Sequence, residues 1–90
     1  MKIWLDDIRN PPIGYNWCKT YEEIIFVLKK EKVSIVDFDH DLGETKTGYD
    51  VAKFIVENNI KIEYFKVHSS NPVGRENIIH LLTHYGYKYI

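Results

Sequence analysis

Short apolar runs alternate with longer amphipathic stretches along this chain. Residues 2–5, 33–38 and 62–67 are brief, largely apolar runs rich in β-branched or aromatic side chains, and each predicts a buried strand. Residues 15–19 have the aromatic content of a further short strand, and residues 87–90 can form a last edge strand. The pattern therefore predicts about five short strands.

Three of the intervening stretches place apolar residues at helical spacing. Thr20 and Glu23 have the spacing of a capping box ahead of the first stretch. The second ends in Asn-Asn and the third is followed by Gly86, and both features favour the end of a helix. The predicted helices span residues 21–31, 48–59 and 75–85.

Strands that alternate with helices predict a parallel sheet with right-handed crossovers. The link between the first two strands is an exception, because its segment RNPPIG (residues 9–14) contains a Pro-Pro pair that cannot lie inside a helix. About seven extended residues cover roughly 23 Å, which is enough to recross a short strand. We therefore expect the first two strands to be parallel. A hairpin would instead carry Asp39 to the opposite edge of the sheet, away from Asp6 and His68.

Length and composition restrict the class of protein. A chain of 90 residues, 44% of them hydrophobic, predicts one globular domain over residues 1–90. Twelve Lys and Arg residues against thirteen Asp and Glu residues leave no field of one sign for duplex nucleic acid or a membrane surface. The single Cys18 cannot form an internal disulfide, and no apolar run approaches the roughly 20 residues of a membrane span. We expect a cytoplasmic protein without a membrane segment.

Polar residues follow three of the predicted strands at the point where each strand ends. Asp6 and Asp7 follow the first strand, the segment DFDHDLG (residues 37–43) spans the end of the third, and HSSN (residues 68–71) follows the fourth. Ligands of parallel sheets bind beyond the carboxyl ends of the strands. We therefore expect the three clusters to meet at one edge.

The three aspartates of DFDHDLG predict a cation site, because like charges within five residues repel unless solvent or a cation lies between them. Carboxylate oxygens suit Mg²⁺ or Mn²⁺. Asp39 and Asp41 are the better ligands and Asp37 a structural residue, with Asp6 and Asp7 completing the predicted metal set. The alternative for the Asp-Asp pair is a hydrogen-bonded turn.

The loop HSSNP offers an imidazole, two hydroxyls and an amide to a phosphate. Arginines that follow the acidic pair and open the last helix could add charge-assisted hydrogen bonds, or could instead neutralise the carboxylates. A simple turn is the alternative for the Asn-Pro pair. The predicted phosphate-binding residues are Arg9, Ser69, Ser70, Asn71 and Arg75.

The segments LDDIRNPPIGYNW, DFDHDLGETKTGYDV and VHSSNPVGRENI together resemble the cyclic-phosphate-processing receiver domain family. The motifs LDDxRxxPxG, DHDLG followed by TGYD, and HSxNPxGR occur in the order of that family. The resemblance implies a receiver-like, flavodoxin-like fold of three layers, with a mostly parallel sheet of strand order 2-1-3-4-5. RNPPIG replaces the first receiver helix and the chain stops at Ile90, so the first and last receiver helices are expected to be missing.

The same resemblance implies a metal-dependent phosphoesterase that processes a cyclic phosphate on a nucleotide or ADP-ribose type of substrate. Asp39 matches the phosphate-accepting position of receivers. Two mechanisms are therefore open: water attacks the phosphorus directly, or Asp39 attacks it and forms a transient acyl phosphate. His68 is the first candidate for proton transfer and His40 the second. Lys88 does not match the Lys that receivers carry after the fifth strand, which argues against phosphorelay signalling.

A noncatalytic receiver-like module that binds a phosphorylated ligand or a protein is the alternative. A separation of more than about 8 Å between the His68 imidazole and the acidic cluster would favour it, because one water cannot bridge that gap. The expected partner is otherwise a small phosphorylated substrate. Loss of a helix could leave apolar sheet surface open and favour a homodimer.

Overall fold

The computed structural model describes residues 1–90 and contains four strands and three helices. In chain order these are β1 (Lys2–Leu5), β2 (Asn16–Cys18), α1 (Tyr21–Lys30), β3 (Val33–Phe38), α2 (Gly48–Glu57), β4 (Ile62–Val67) and α3 (Pro72–His84). All strand pairs are parallel and the strand order is β2-β1-β3-β4. The predicted α/β fold and the order of its first four strands are confirmed.

The connection between β1 and β2 recrosses the sheet without a helix. Ile3 pairs with Asn16 and Leu5 with Cys18 in parallel register. The returning chain is held against the end of β1, where the Trp17 indole donates to the Asp6 carbonyl over 2.6 Å. The extended link therefore keeps Asp6 at the same edge as the ends of the other strands.

The predicted fifth strand is reduced to one bridge. Tyr89 forms an isolated parallel bridge with Phe65 of β4. The Phe65 amide donates to the Lys88 carbonyl, and the Ile90 amide donates to the Phe65 carbonyl. This short segment extends the sheet beside β4, in the place that the order 2-1-3-4-5 gives to the last strand.

The three helices lie side by side on one face of the sheet, where α2 packs between α1 and α3. Their apolar residues, such as Ile24, Ile55 and Leu82, join one core with strand residues such as Leu5 and Phe38. The opposite face has no helix, and Tyr64 on it is 40% exposed. The link after β1 contains no helix, as predicted, and the expected third layer is absent from residues 1–90.

Helix α3 begins three residues before the predicted start at residue 75. The Asn71 side chain caps it by accepting from the Gly74 amide over 3.0 Å, and Pro72 occupies the first turn, where its missing N–H costs nothing. The polar loop after β4 is therefore shorter than predicted and leads directly into a helix N-terminus. None of the three helices has the length and apolar character that crossing a bilayer requires.

Candidate functional site

The carboxyl ends of β1, β3 and β4 bring Asp6, Asp39 and His68 together. One ligand atom from each side chain lies within 4.8 Å of the other two. The sheet register explains this, because Leu5 pairs with Phe38 and Phe38 with Val67, so the next residue of each strand is also a neighbour. The three predicted polar clusters therefore share one edge.

His68 is fixed between two carboxylates. Its Nδ1 lies 2.8 Å from Asp37 Oδ1, and its Nε2 lies 2.8 Å from Asp6 Oδ2. Burial by itself lowers the pKa of His68, but the hydrogen bonds to Asp37 and Asp6 and the charges of both carboxylates outweigh it. The net pKa is raised above 6.5, so the imidazolium form donates a hydrogen bond from each ring nitrogen.

Asp6 is buried and ionised. Its Oδ1 accepts from the amides of Ile8 and Arg9, at 2.8 and 2.9 Å. Burial raises the pKa of Asp6, but these backbone hydrogen bonds and the contact with His68 outweigh it and lower the pKa below 3.8. The backbone bonds fix the carboxylate so that Oδ2 faces His68.

Asp39 differs from Asp6, because no hydrogen bond from the protein offsets the burial of its carboxylate. The residue is only 7% exposed and no protein group hydrogen-bonds its carboxylate, whose oxygens still reach solvent at the sheet edge. The Asp39 backbone is held firmly, with its amide donating to the Leu5 carbonyl and its carbonyl pressed against Gly48. This carboxylate is therefore available to a ligand such as a cation, because no protein group occupies its oxygens.

Trp4 supports this site and was not among the predicted site residues. Its indole stacks on the His68 ring, with centroids 3.7 Å apart and planes 5° from parallel. Its Nε1 donates to the Arg9 carbonyl over 2.9 Å. Strand alternation places Trp4 on the same face as Asp6, two residues later, and this was the available signal.

A second group forms beside the first, from His40, Asp41 and Asn71. His40 Nδ1 lies 3.0 Å from Asp41 Oδ1, and Asn71 Nδ2 donates to Asp41 Oδ2 over 3.2 Å. These hydrogen bonds from His40 and Asn71 lower the pKa of Asp41 below 3.8. The ionised carboxylate favours the tautomer with the proton on His40 Nδ1, which also lies 3.4 Å from Asn71 Nδ2, while Nε2 contacts no protein hydrogen-bonding group.

Gly74 makes room for the His40 ring on the first turn of α3. A Cβ at this position would lie 2.3 Å from Cγ of His40 and 2.7 Å from its Nδ1. The glycine of the segment NPVGR is therefore part of the site, because any side chain there would displace the ring. Asn71 caps the same turn and binds Asp41, so α3 positions both members of the His40–Asp41 pair.

The other predicted site residues lie at varying distances from the cluster of three. Arg9 is half-exposed beside it, where Nη1 donates to the His68 carbonyl over 3.1 Å and Nη2 to Ser70 Oγ over 3.4 Å. Ser69 accepts from the Asn71 amide inside the loop. Arg75 donates to the Tyr89 hydroxyl on the outer side of β4. Arg9 and Ser70 are thus the predicted phosphate ligands that border the acidic cluster.

Of the four predicted metal ligands, Asp6 and Asp39 lie together and the other two lie apart from them. Asp6 and Asp39 belong to the cluster with His68, whereas Asp41 is 64% exposed and engaged by His40 and Asn71. Asp7 is partly buried against Gly43, whose φ of +68° and lack of a side chain allow the close approach. The pair of Asp6 and Asp39 could hold a divalent cation, because the Asp39 carboxylate has no protein hydrogen bond and His68 offers a third ligand atom within 4.8 Å.

Comparison with known proteins places the chain in a family. The model of the cyclic-phosphate processing receiver domain matches residues 1–84 of the 90. Searches of curated proteins and of solved structures give no match. The match includes every residue of the site described above, from Trp4 to Arg75. The chain therefore belongs to the cyclic-phosphate processing receiver domain family.

Proposed function

We propose that this chain is a metal-dependent phosphoesterase that opens a cyclic phosphate on a nucleotide or ADP-ribose type of substrate. One observation carries the proposal: Asp6, Asp39 and His68 converge within 4.8 Å at the sheet edge of a chain from a family tied to cyclic-phosphate processing. The observation supports chemistry at this edge, since titratable groups with shifted pKa values cluster at functional sites.

Asp6 and Asp39 are the residues proposed to hold Mg²⁺ or Mn²⁺. The backbone amides of Ile8 and Arg9 orient the Asp6 carboxylate, and the Asp39 carboxylate has no protein hydrogen bond that a cation would have to displace. A divalent cation bound there supplies positive charge that polarises a phosphoryl oxygen and orients a water molecule. Arg9 adds a guanidinium at the rim, beside Ser70, where both can donate to phosphate oxygens.

His40 is the residue that we propose for proton transfer, ahead of His68. The proton of His40 is held on Nδ1 by Asp41, so Nε2 can accept a proton from water or return one to a leaving oxygen. Both ring nitrogens of His68 are instead engaged by carboxylates. The hydrogen-bond pattern thus supports a base with an orienting acid at His40 and a positioning role at His68.

The distance between the His68 imidazole and the acidic cluster does not favour the noncatalytic alternative. The His68 imidazole lies 2.8 Å from Asp6, far below the separation of about 8 Å that would leave it out of reach. A module that only bound a phosphorylated ligand would also have no use for the proton acceptor on His40. The alternative predicts binding of a cyclic phosphate without its conversion.

Turnover of cyclic phosphates tests the proposal. The chain is incubated with a nucleoside cyclic monophosphate and with an ADP-ribose cyclic phosphate, in Mg²⁺, in Mn²⁺ and in chelator, and ring opening is followed by phosphorus NMR. We expect metal-dependent ring opening that falls by about 100-fold or more in His40→Ala. The matched control is His80→Ala, because His80 is 77% exposed on α3 and contacts only Glu76. Binding without ring opening in every metal would refute the proposal.

A further inference from the structure

The orientation of His68 is determined from three sides. Asp37 holds Nδ1, Asp6 lies against Nε2, and the Trp4 indole stacks on the ring face at 3.7 Å. A simple ion-pairing histidine does not need all three constraints, because a single carboxylate would neutralise its charge. The ring is held as a group whose Nε2 must point at one place.

That place also lies beside Asp39. The ligand atoms of Asp6, Asp39 and His68 are all within 4.8 Å of one another. Ions that bind oxygen or nitrogen at about 2.0–2.2 Å have ligand atoms separated by roughly 3–4 Å, so only a small adjustment would let one ion contact all three. Asp39 is more than nine-tenths buried, and its carboxylate makes no protein hydrogen bond, so it is a second indication that a cation binds in this space.

Asp37 completes the arrangement on the other side of the ring. A histidine that binds a metal usually donates its second ring N–H to a carboxylate, which fixes the tautomer and the ring orientation. Asp37 is buried on β3 and accepts from Nδ1 over 2.8 Å. An ion pair alone would explain the contacts of His68 with Asp37 and Asp6, but it would leave Asp39 without a partner.

We propose that His68 is itself a ligand of the metal ion, through Nε2, together with Asp6 and Asp39; the ion replaces the proton on Nε2, which is released to solvent, while Nδ1 keeps its proton toward Asp37. The inference rests on the metal site of the proposed function and makes it more specific. One imidazole nitrogen in an otherwise oxygen set favours first-row transition ions over Mg²⁺, because imidazole suits the former and Mg²⁺ prefers oxygen alone. The site selects an ion such as Mn²⁺ over Mg²⁺, with Asp37 as the group that orients its nitrogen ligand.

Titration calorimetry with Mn²⁺ and with Mg²⁺ on the metal-free chain measures this selectivity. We expect tighter binding of Mn²⁺, and a loss of about 10–100-fold in Mn²⁺ affinity in Asp37→Asn. His68→Ala should lose most of the preference for Mn²⁺, whereas the control His80→Ala should keep it. A wild-type chain that binds both ions equally well, or a His68→Ala variant that keeps the preference, would overturn the inference.

Pulsed EPR of bound Mn²⁺ reads the nitrogen ligand directly in the wild-type chain and needs no variant to fold. We expect hyperfine coupling to one imidazole nitrogen, retained in His40→Ala and lost in His68→Ala. Bound Mn²⁺ without nitrogen coupling would overturn this inference but not the proposed function, since carboxylates alone could hold the ion. Coupling that disappears in His40→Ala would also overturn it, by assigning the ligand to His40.

Discussion

At the scale of single residues, two histidines of the site differ in what their ring nitrogens contact. His68 bridges Asp37 and Asp6, whereas His40 contacts Asp41 and Asn71 through Nδ1 alone and leaves Nε2 without a protein partner. This difference separates a positioning role from proton transfer, although both side chains lie at one sheet edge. It also makes the stability of the metal-free chain depend on pH through His68.

The pKa of His68 is raised above 6.5 on folding, so its protonated form stabilises the native state. That contribution is complete below about pH 6.5 and is lost as the pH rises through the raised pKa of the folded chain. In the presence of chelator, we compare the free energy of unfolding of wild type with that of His68→Gln. The difference in favour of wild type should decrease as the pH rises above about 6.5. Urea denaturation of both chains at several pH values measures this difference in the free energy of unfolding.

The carboxylate on the other side of this pair acts in a different pH range. The pKa of Asp6 is lowered below 3.8, so its contribution to stability is present above that value and is lost as the pH falls through the lowered pKa. Ionised Asp6 and protonated His68 therefore both contribute fully to stability only between about pH 4 and pH 6.5. A difference between wild type and His68→Gln that stays constant or grows with rising pH would contradict the assigned ion pair.

The identity of the site residues could be predicted further than their roles. Positions after the strands predicted that Asp6, Asp39 and His68 would approach one another, because parallel strands end at one edge. Which histidine keeps a free nitrogen depends on side-chain rotamers and on hydrogen-bond partners up to 62 residues away, and no local pattern contains that information. The stacking of Trp4 on His68 was missed for the same reason.

At the scale of elements, the start of α3 connects the fold to the site. Asn71 caps the helix and binds Asp41, while Gly74 accommodates the His40 ring. The segment Asn71-Pro72 contains an N-cap residue followed by proline at the first helical position, which is a known start signal. The same dipeptide also occurs in simple turns, so it does not by itself identify a helix start. The apolar periodicity begins only with Ile78, and the helix was therefore predicted to start later, at residue 75.

Gly74→Ala should show how closely α3 and His40 are packed. In wild type the new Cβ would clash with the His40 ring, so we expect destabilisation by about 1–3 kcal/mol and loss of the His40–Asp41 hydrogen bond. In a His40→Ala background the same change should stabilise by up to about 1 kcal/mol, because alanine is the better helix former. The free energies of unfolding of the four chains measure the difference. Equal effects in both backgrounds would contradict the packing described.

At the scale of the whole molecule, the chain has the parallel sheet of a receiver with helices on one face only. All-parallel sheets usually have both faces covered. Here the link after β1 covers only part of the second face, where Trp4 contacts Arg9 and Tyr15, and Tyr64 remains exposed. The absence of the first helix could be predicted, because RNPPIG is too short and too rich in proline to form one.

A chain with one small core should respond strongly to a ligand at the sheet edge. Mn²⁺ at about 100 times its dissociation constant would stabilise the folded state by about 2.7 kcal/mol, provided that it does not bind the unfolded chain. For a domain of this size we expect the Tm to rise by roughly 10–20 °C. Differential scanning calorimetry measures the rise, which should be absent in Asp39→Asn and retained in the surface control Glu57→Gln. An equal rise in Asp39→Asn would place the ion elsewhere.

The rate of cyclic-phosphate ring opening by wild type relative to Asp39→Asn tests the central claim most directly. Asn keeps the size of the side chain but removes the charge, and Asp39 is the one buried carboxylate of the cluster that no protein group satisfies. Phosphorus NMR in Mn²⁺ should show the cyclic resonance replaced by that of a monoester, with a rate about 100-fold or more lower in Asp39→Asn. Equal rates for the two chains, or no ring opening by wild type, would contradict the account.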